Sequence, residues 1–276
     1  MALRSALINV MANAASKVAR RMVRDFGEVE QLQVSKKGPA DFVSTADLRA
    51  ERDLKAELKR ARPKFGLLME ESGYEEGEDK TSRWIVDPLD GTTNFLHGIP
   101  HFAISIAAEV HNEIVAGVIY DPIRDETFWA EKGSGAYMND RRLRVSARDK
   151  LPEAVFATGI PFHGRPGHSE FLSTLEHVMS EVAGVRRFGS AALDLAYVAA
   201  GRYEGFWENG LSYWDVAAGI IIVREAGGYV TDFQGESARL PDGEIVAAND
   251  KLHTTLRRLV AKSAKAAPST RTEAAK

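Results

Sequence analysis

The apolar run Trp84-Ile85-Val86 passes without a break into Asp87-Pro88-Leu89-Asp90-Gly91-Thr92-Thr93-Asn94-Phe95. The run reads as a strand. Pro88 biases Asp87 toward extended geometry and is expected to end that strand cleanly. Asp90 follows three residues later, and Gly91 frees the chain to turn. Two carboxylates therefore lie close at one strand end, with the Leu89 carbonyl between them as a further hard oxygen. Two hydroxyls and the start of a short helix or turn come next. Free N–H groups at such a start suit an anion such as phosphate.

Carboxylates this close repel one another unless a cation sits between them. An all-oxygen donor set favours Mg²⁺ over zinc. Cys is absent, which excludes disulfides, thiolate metal sites and a Cys nucleophile. Metal ions beside a phosphate cradle point to metal-assisted phosphoryl chemistry. Asp-Pro and Asp-Gly are each ordinary turn dipeptides. Only the coincidence of two acids, a carbonyl and a hydroxyl-rich anion turn points to a site. Three more places carry acids. Asp47 ends Ser44-Thr45-Ala46-Asp47, a helix start. Glu70-Glu71 follows the candidate strand Phe65 to Met69 and would otherwise be a solvated turn. Asp215 precedes the apolar run Val216 to Val223, where an Asp also suits a helix N-cap.

Helical spacing of Leu7, Val10, Met11, Ala14, Ala15 and Val18 predicts a helix over about 5–25, and a second runs from about Ala46 to Ala61. Val34 to Pro39 reads as a basic turn between them. Phe102 to Val110, Ile114 to Tyr120 and Thr127 to Ala130 read as strands. Alternation follows: strands at 155–157, 205–207, 229–231 and 245–248, and helices at 169–182, 193–200, 215–226 and 251–262. This order fits stacked layers of helix and mixed sheet rather than a doubly wound sheet. The 276 residues read as one domain over 1–262, divided into subdomains of about 1–145 and 146–262, with a disordered tail over 263–276. A net charge of −3 argues against broad electrostatic binding of nucleic acid. No apolar run approaches the ~18–20 residues of a membrane helix. Arg4, Lys17, Arg20 and Arg21 are scattered through the N-terminus, unlike a signal peptide, so a cytoplasmic protein is expected.

At these residues the chain resembles the inositol monophosphatase family. One signature is carried by Trp84 to Phe95, and a second by Trp214-Asp215-Val216-Ala217-Ala218-Gly219 running to Glu225-Ala226-Gly227-Gly228. Glu70-Glu71-Ser72 matches the acidic pair before the first signature. Arg187 to Asp194 resembles the bacterial branch that includes the extragenic-suppressor protein SuhB. The resemblance covers about Ala6 to Leu259. It implies a layered α+β or α/β fold, the αβαβα sandwich of the inositol monophosphatase and sugar phosphatase type, as a homodimer. It also implies Li⁺-sensitive, Mg²⁺-dependent hydrolysis of a phosphate monoester, with two or three ions per site. By this resemblance Glu70, Asp87 and the Leu89 carbonyl hold one Mg²⁺, and Asp87, Asp90 and Asp215 a second. Glu70 and Thr92 orient the attacking water, and Asp47 supports Thr92. Gly91, Thr92 and Thr93 receive the phosphate. Ala191 and Glu208 touch the sugar or inositol ring, Asp90 and Asp215 also bind substrate, and Lys36 is a mobile basic residue near the metals. Where the family often has Thr-Ala-Thr-Asp, this chain has Ser44-Thr45-Ala46-Asp47, with Asp47 intact.

His97, His101 and His168 are read as surface or packing residues, since hard-oxygen sites need no imidazole. His163 to His168 reads as an exposed loop near the site. Arg186-Arg187 suits phosphate, a subunit contact, or a salt bridge to Asp194 or Glu208. Trp84, Trp207 and Trp214 are read as core anchors. The leading function is therefore hydrolysis of inositol monophosphate or a similar polyol phosphate. Glu208 supports a polyol because a carboxylate accepts hydroxyl hydrogen bonds. Fructose bisphosphate, histidinol phosphate, NADP and a 3′-phosphonucleotide remain alternatives. So does a regulatory role in transcription and ribosomal RNA maturation complexes.

Overall fold

A computed structural model describes residues 4–28, 34–38, 41–162, 164–236 and 243–266. Helix α1 (Ala6–Phe26) is followed by β1 (Val34–Gly38), β2 (Asp41–Ser44) and α2 (Thr45–Ala61). Then come β3 (Phe65–Met69), β4 (Gly73–Glu75), β5 (Asp79–Asp90), α3 (Thr92–Leu96), β6 (Ala103–Val110), β7 (Glu113–Asp121), β8 (Glu126–Glu131), β9 (Gly135–Met138) and β10 (Arg141–Arg142). The remainder is β11 (Val155–Thr158), α4 (His168–Met179), β12 (Gly184–Arg186), α5 (Ala191–Ala199), β13 (Gly205–Glu208), α6 (Tyr213–Glu225), β14 (Tyr229–Thr231), β15 (Ile245–Ala248) and α7 (His253–Ala266).

Among the described residues, one eight-stranded sheet runs β10-β9-β8-β7-β6-β5-β3-β4 and a five-stranded sheet runs β12-β11-β13-β15-β14. Both are mixed. β3 lies parallel to β5, and β11 lies parallel to β12 and β13, while β6 and β15 pair antiparallel with their neighbours. The predicted sandwich follows from which residues each face buries. On β5, Trp84 and Val86 join α1 and α2 in one core, while the intervening Ile85 joins α5 and α6 in another. On β15, Ile245 and Ala247 face α5 and α6, while Val246 and Ala248 join residues of α7 in a third core. The layers are α1/α2, large sheet, α5/α6, small sheet, α4/α7. Strands buried on both faces read as unbroken apolar runs, because side chains alternate between two dry interfaces.

The middle helix α6 is apolar all round, with every residue from Val216 to Val223 buried, as a helix between two sheets must be. It lies tight against β7: a Cβ on Gly117 would fall 2.8 Å from the Ala218 carbonyl oxygen.

Four sequence expectations are corrected. Val34–Gly38 pairs with β2 instead of forming a turn, because the chain can close a hairpin before α2; Pro39 lies outside the described residues. β5 does not stop at Asp87 but runs to Asp90. Helix α4 ends at Met179 rather than residue 182, since the chain must return to the sheet at β12. Helix α7 extends to Ala266, into the expected disordered tail; Ser263 to Ala266 continue its good helix-forming composition. Residues 267–276 of that tail lie outside the described ones.

Candidate active site

The second of these corrections builds the site. Asp87 pairs with Ser105, but Asp90 pairs with Ala103, so β5 carries one residue more than β6 over this interval. That is a β-bulge. In a regular strand, residues three apart point to opposite faces. The extra residue restores a common face, so Asp87 and Asp90 both look toward the α5/α6 layer. Pro88 sits within the bulge, where its missing N–H costs no ladder bond. Parallel pairing of Met69 with Val86 sets Glu70 beside Asp87, and the Glu70 amide donates to the Val86 carbonyl at 3.3 Å. Asp215 arrives from the first turn of α6. Ser212, not Asp215, is the N-cap: the Asp215 carboxylate accepts from the Ser212 amide at 2.7 Å in a capping box.

The four acids share one electrostatic environment. Burial drives the Asp87 carboxyl well above the usual carboxylate range, and the charges of Glu70, Asp90 and Asp215 push it further. Asp215 is raised well above its ordinary value by burial and then by Asp90, with Glu70 and Glu208 adding to the effect. Asp90 is raised to about 6 by burial, partly offset by donors. Those donors are the Ser190 hydroxyl at 2.5 Å and the Ala192 amide at 2.7 Å.

Past the bulge, Gly91 adopts φ +98°, a backbone conformation that costs a side-chain-bearing residue about 1 kcal/mol or more. A five-residue helix such as α3 does not hold by itself. Phe95 fixes it, packed at 5.1 Å from Phe102 and 5.6 Å from Phe26, and so does Asn94, whose amide donates to the His101 carbonyl at 2.8 Å and the Phe188 carbonyl at 2.7 Å. The Thr92 hydroxyl lies 2.9 Å from Asp47 Oδ1 and 3.1 Å from the Leu89 carbonyl oxygen. Asp47 is the third helical residue of α2; its other oxygen accepts from the Ser44 amide at 2.9 Å and from the Ser44 hydroxyl. Ser44 is thus the helix cap that holds Asp47 toward Thr92. Thr93 is exposed beside it.

The remaining expected residues separate into two groups. Ala191 opens α5 against Asp90, and Glu208 ends β13 within the field of Asp90. The Glu208 carboxyl is pushed up to about 8, by burial first and then by the charge of Asp90, against the opposing charges of Arg187 and Arg165. A cavity of about 250 Å³ opens beside Glu208, lined also by Gly159, Arg165, Phe171 and Trp207. Lys36 lies on β1 with its side chain outside the described residues, as is the whole of His163. His101 is a packing residue: its ring lies tilted against Phe188 with centroids 5.2 Å apart, and burial lowers it to about 4. Trp84 and Trp207 are core anchors. Arg187 reaches Asp194 and Glu208 through its field.

Two functional supports escaped sequence reasoning. Ser190 caps α5 and holds Asp90; a Ser before the helix it opens was the available signal. Glu51 is buried on α2 and accepts from the Glu71 amide at 2.8 Å, pinning the loop that carries Glu70. Its spacing of four residues from Asp47 places both acids on one helix face.

Among the described residues, no three His, Cys, Asp or Glu side chains are closed around a point that would hold a metal ion. Each of the three aspartates turns one oxygen to a structural donor. The donor chemistry fits a hard divalent cation all the same. Every side chain that raises Asp87 is acidic, and a cation removes the cost of burying those charges together.

Residues 3–266 match the model of the inositol monophosphatase family. The chain belongs to that family. It is 60% identical over 259 residues to the inositol-1-monophosphatase of Mesorhizobium japonicum, covering 94% of this chain and 97% of that one. It is 43% identical to Nus factor SuhB of Pseudomonas aeruginosa over 91% of this chain and 94% of that one. The crystal structure of extragenic suppressor protein SuhB from Bartonella henselae superposes with a TM-score of 0.91 at 60% identity, over 94% of this chain and 99% of that one. This inositol monophosphatase family member therefore has the family's layered α/β fold.

Proposed function

We propose that the protein is a Mg²⁺-dependent phosphate monoester hydrolase whose substrate is inositol monophosphate or a close polyol phosphate. One observation carries the reading: four acids from a strand end, a bulge and a helix start meet in one buried field in which every neighbour that raises Asp87 is acidic. The identity to the Mesorhizobium japonicum inositol-1-monophosphatase supports the substrate class.

In this reading Glu70, Asp87 and the Leu89 carbonyl hold one Mg²⁺, and Asp87, Asp90 and Asp215 hold a second, with two or three ions per site. Bound Mg²⁺ supplies Lewis-acid charge that neutralises the phosphoryl oxygens and makes a water acidic. The chain's own residues do the positioning. The Thr92 hydroxyl donates a hydrogen bond to Asp47 Oδ1, the nearer acceptor at 2.9 Å. Its lone pairs then accept from the attacking water, which Glu70 also orients. The amides of Gly91, Thr92 and Thr93 receive the phosphate. Ala191, Glu208, Asp90 and Asp215 face the leaving group. Li⁺ sensitivity, homodimeric assembly and a cytoplasmic location belong to the same proposal on the strength of family membership.

The test is release of inorganic phosphate from a panel of monoesters, with and without Mg²⁺ and Li⁺. Mg²⁺-dependent release, fastest from inositol 1-phosphate and inhibited by Li⁺, is expected; no release from any monoester at saturating Mg²⁺ overturns the proposal. Thr92→Ala is expected to lower kcat by roughly 10²-fold while changing KM much less, the pattern of a group that orients a nucleophile. Unchanged kcat would show that the hydroxyl does not do so. A second reading, action through contacts in transcription complexes, rests on the SuhB-named relative. A phosphatase-dead variant that keeps such a function in cells would favour it.

A further inference from the structure

Gly159 follows β11, and Glu208 ends β13. The two strands run parallel with Thr158 paired to Trp207, so Gly159 and Glu208 leave the same end of the sheet side by side. The Glu208 carboxyl lies flat across its neighbour. A Cβ built on Gly159 would overlap the carboxyl carbon and both oxygens of Glu208, and these are the three atoms nearest to it. Other crowded glycines meet different obstacles. At Gly117 and Gly205 these are core side chains and a backbone carbonyl, and at Gly77 they are backbone. Backbone conformation does not call for a glycine at 159. Gly159 lacks the positive φ of Gly91 and Gly189, so a residue with a side chain could adopt its conformation. What a side chain would remove is space.

Gly159 and Glu208 both line the cavity of about 250 Å³, with Arg165 on the same wall. A methyl group at 159 would therefore push the end of a flexible side chain into open volume and leave the backbone in place. There the Arg165 guanidinium offers a displaced carboxylate a partner. Glutamate is among the side chains that lose most rotamer freedom when fixed, and the bare Cα of Gly159 gives its carboxyl one place to lie. Glu208 stands four residues before Ser212, whose amide bonds to the Asp215 carboxylate at 2.7 Å. Four residues span at most about 14 Å, which keeps this seat at the edge of the acidic site. We propose that Gly159 is a positioning residue: the space left by its missing side chain seats the Glu208 carboxyl toward the leaving group, instead of leaving it free to move through the cavity, and so sets the preference for a leaving group that carries hydroxyls. The proposal rests on the phosphatase reading and deepens it. A carboxyl accepts a hydroxyl hydrogen bond only at the right distance and angle, so the seat matters as much as the acid.

The experiment is a double-mutant cycle on Gly159→Ala and Glu208→Ala. At saturating Mg²⁺, kcat/KM is measured for inositol 1-phosphate and for p-nitrophenyl phosphate, whose leaving group has no second hydroxyl. Selectivity is the ratio of the two values. Gly159→Ala is expected to lower it about tenfold, because a site built to hydrogen-bond a hydroxyl stops discriminating when the bonding group is displaced. Glu208→Ala should lower it as much, and the double variant no further than either single one, since no carboxyl remains for the methyl group to displace. Equal losses on both esters would make Gly159 a structural residue and overturn the assignment. A second full loss when Gly159→Ala is added to Glu208→Ala overturns it too, as does a selectivity that Gly159→Ala leaves intact. If Gly159→Ala does not fold, the double variant decides. With the obstacle gone it should fold and match Glu208→Ala; a double variant that stays unfolded overturns the assignment. Failure of the wild type to hydrolyse inositol 1-phosphate would instead bring down the functional reading itself, and this assignment with it.

Discussion

Asp87→Asn is expected to lower kcat/KM for inositol 1-phosphate by about 10³-fold or more, an effect of several kcal/mol on the transition state. Asp87 is the acid on which the others converge, with Glu70, Asp90 and Asp215 all raising it. It is also the one assigned to both cations. Asn keeps the shape and the oxygen that accepts from the Leu89 amide at 2.9 Å, so the bulge should survive. Only the charge is lost. The metal-free variant should accordingly melt at or above the wild-type temperature, because a repulsive buried carboxyl has been neutralised. Steady-state kinetics across a Mg²⁺ titration and a melting curve in chelator check both halves. Near-normal turnover at saturating Mg²⁺ would refute the assignment, and a collapsed fold would mean that Asp87 is structural.

Melting temperature measured against pH, with and without Mg²⁺, should give the second large effect. Asp87, Asp90 and Asp215 all have carboxyls raised above the ordinary range, chiefly by burial. A group raised in the folded state binds more protons there than in the unfolded chain, so its stabilising contribution is complete at low pH and disappears as pH climbs through the folded value. For the metal-free protein the loss begins above the ordinary carboxylate range near pH 4. It continues through about 6, where Asp90 titrates, and about 8, where Glu208 does. A bound cation favours the same ionised carboxylates that the empty fold resists, and ligand binding to the folded state alone adds stability. The rise in melting temperature on adding Mg²⁺ should therefore be larger at pH 8 than at pH 5.5. An equal or smaller rise at pH 8 would show that these acids do not hold the ion.

Much of the fold and part of the site are legible from residues in order. The two signatures, the acidic pair and the layered class were legible because each is local: a strand, a turn and a helix start have short-range chemical requirements. The buried helix α6 was legible for the same reason. The end of β5 was misread at Pro88. Proline restricts its own stretch of chain, but whether a strand stops or bulges depends on the partner strand, and β6 keeps pairing out to Ala103. The alternative of an N-cap at Asp215 falls away because Ser212 has that role; both residues satisfy the local preference. Ser190 and Glu51 went unnoticed. Their partners lie 100 and 20 residues away in the chain, and nothing in a linear string marks such a pairing.

The sequence by itself determined the chemistry available to this protein: oxygen donors without thiolates, acids at a strand end and a helix start, a glycine where the turn into α3 begins, and apolar runs that demand two dry faces. The tertiary structure decided which of those acids face one another. The bulge turned Asp87 and Asp90 to the same side, strand pairing set Glu70 next to them, and α6 carried in Asp215. It also left Asp194 buried without a partner at Oδ1. The reason is the range of the forces involved. Backbone preference and helix capping act over a few residues, whereas charge repulsion and burial act through space between segments that only the folded layers bring together.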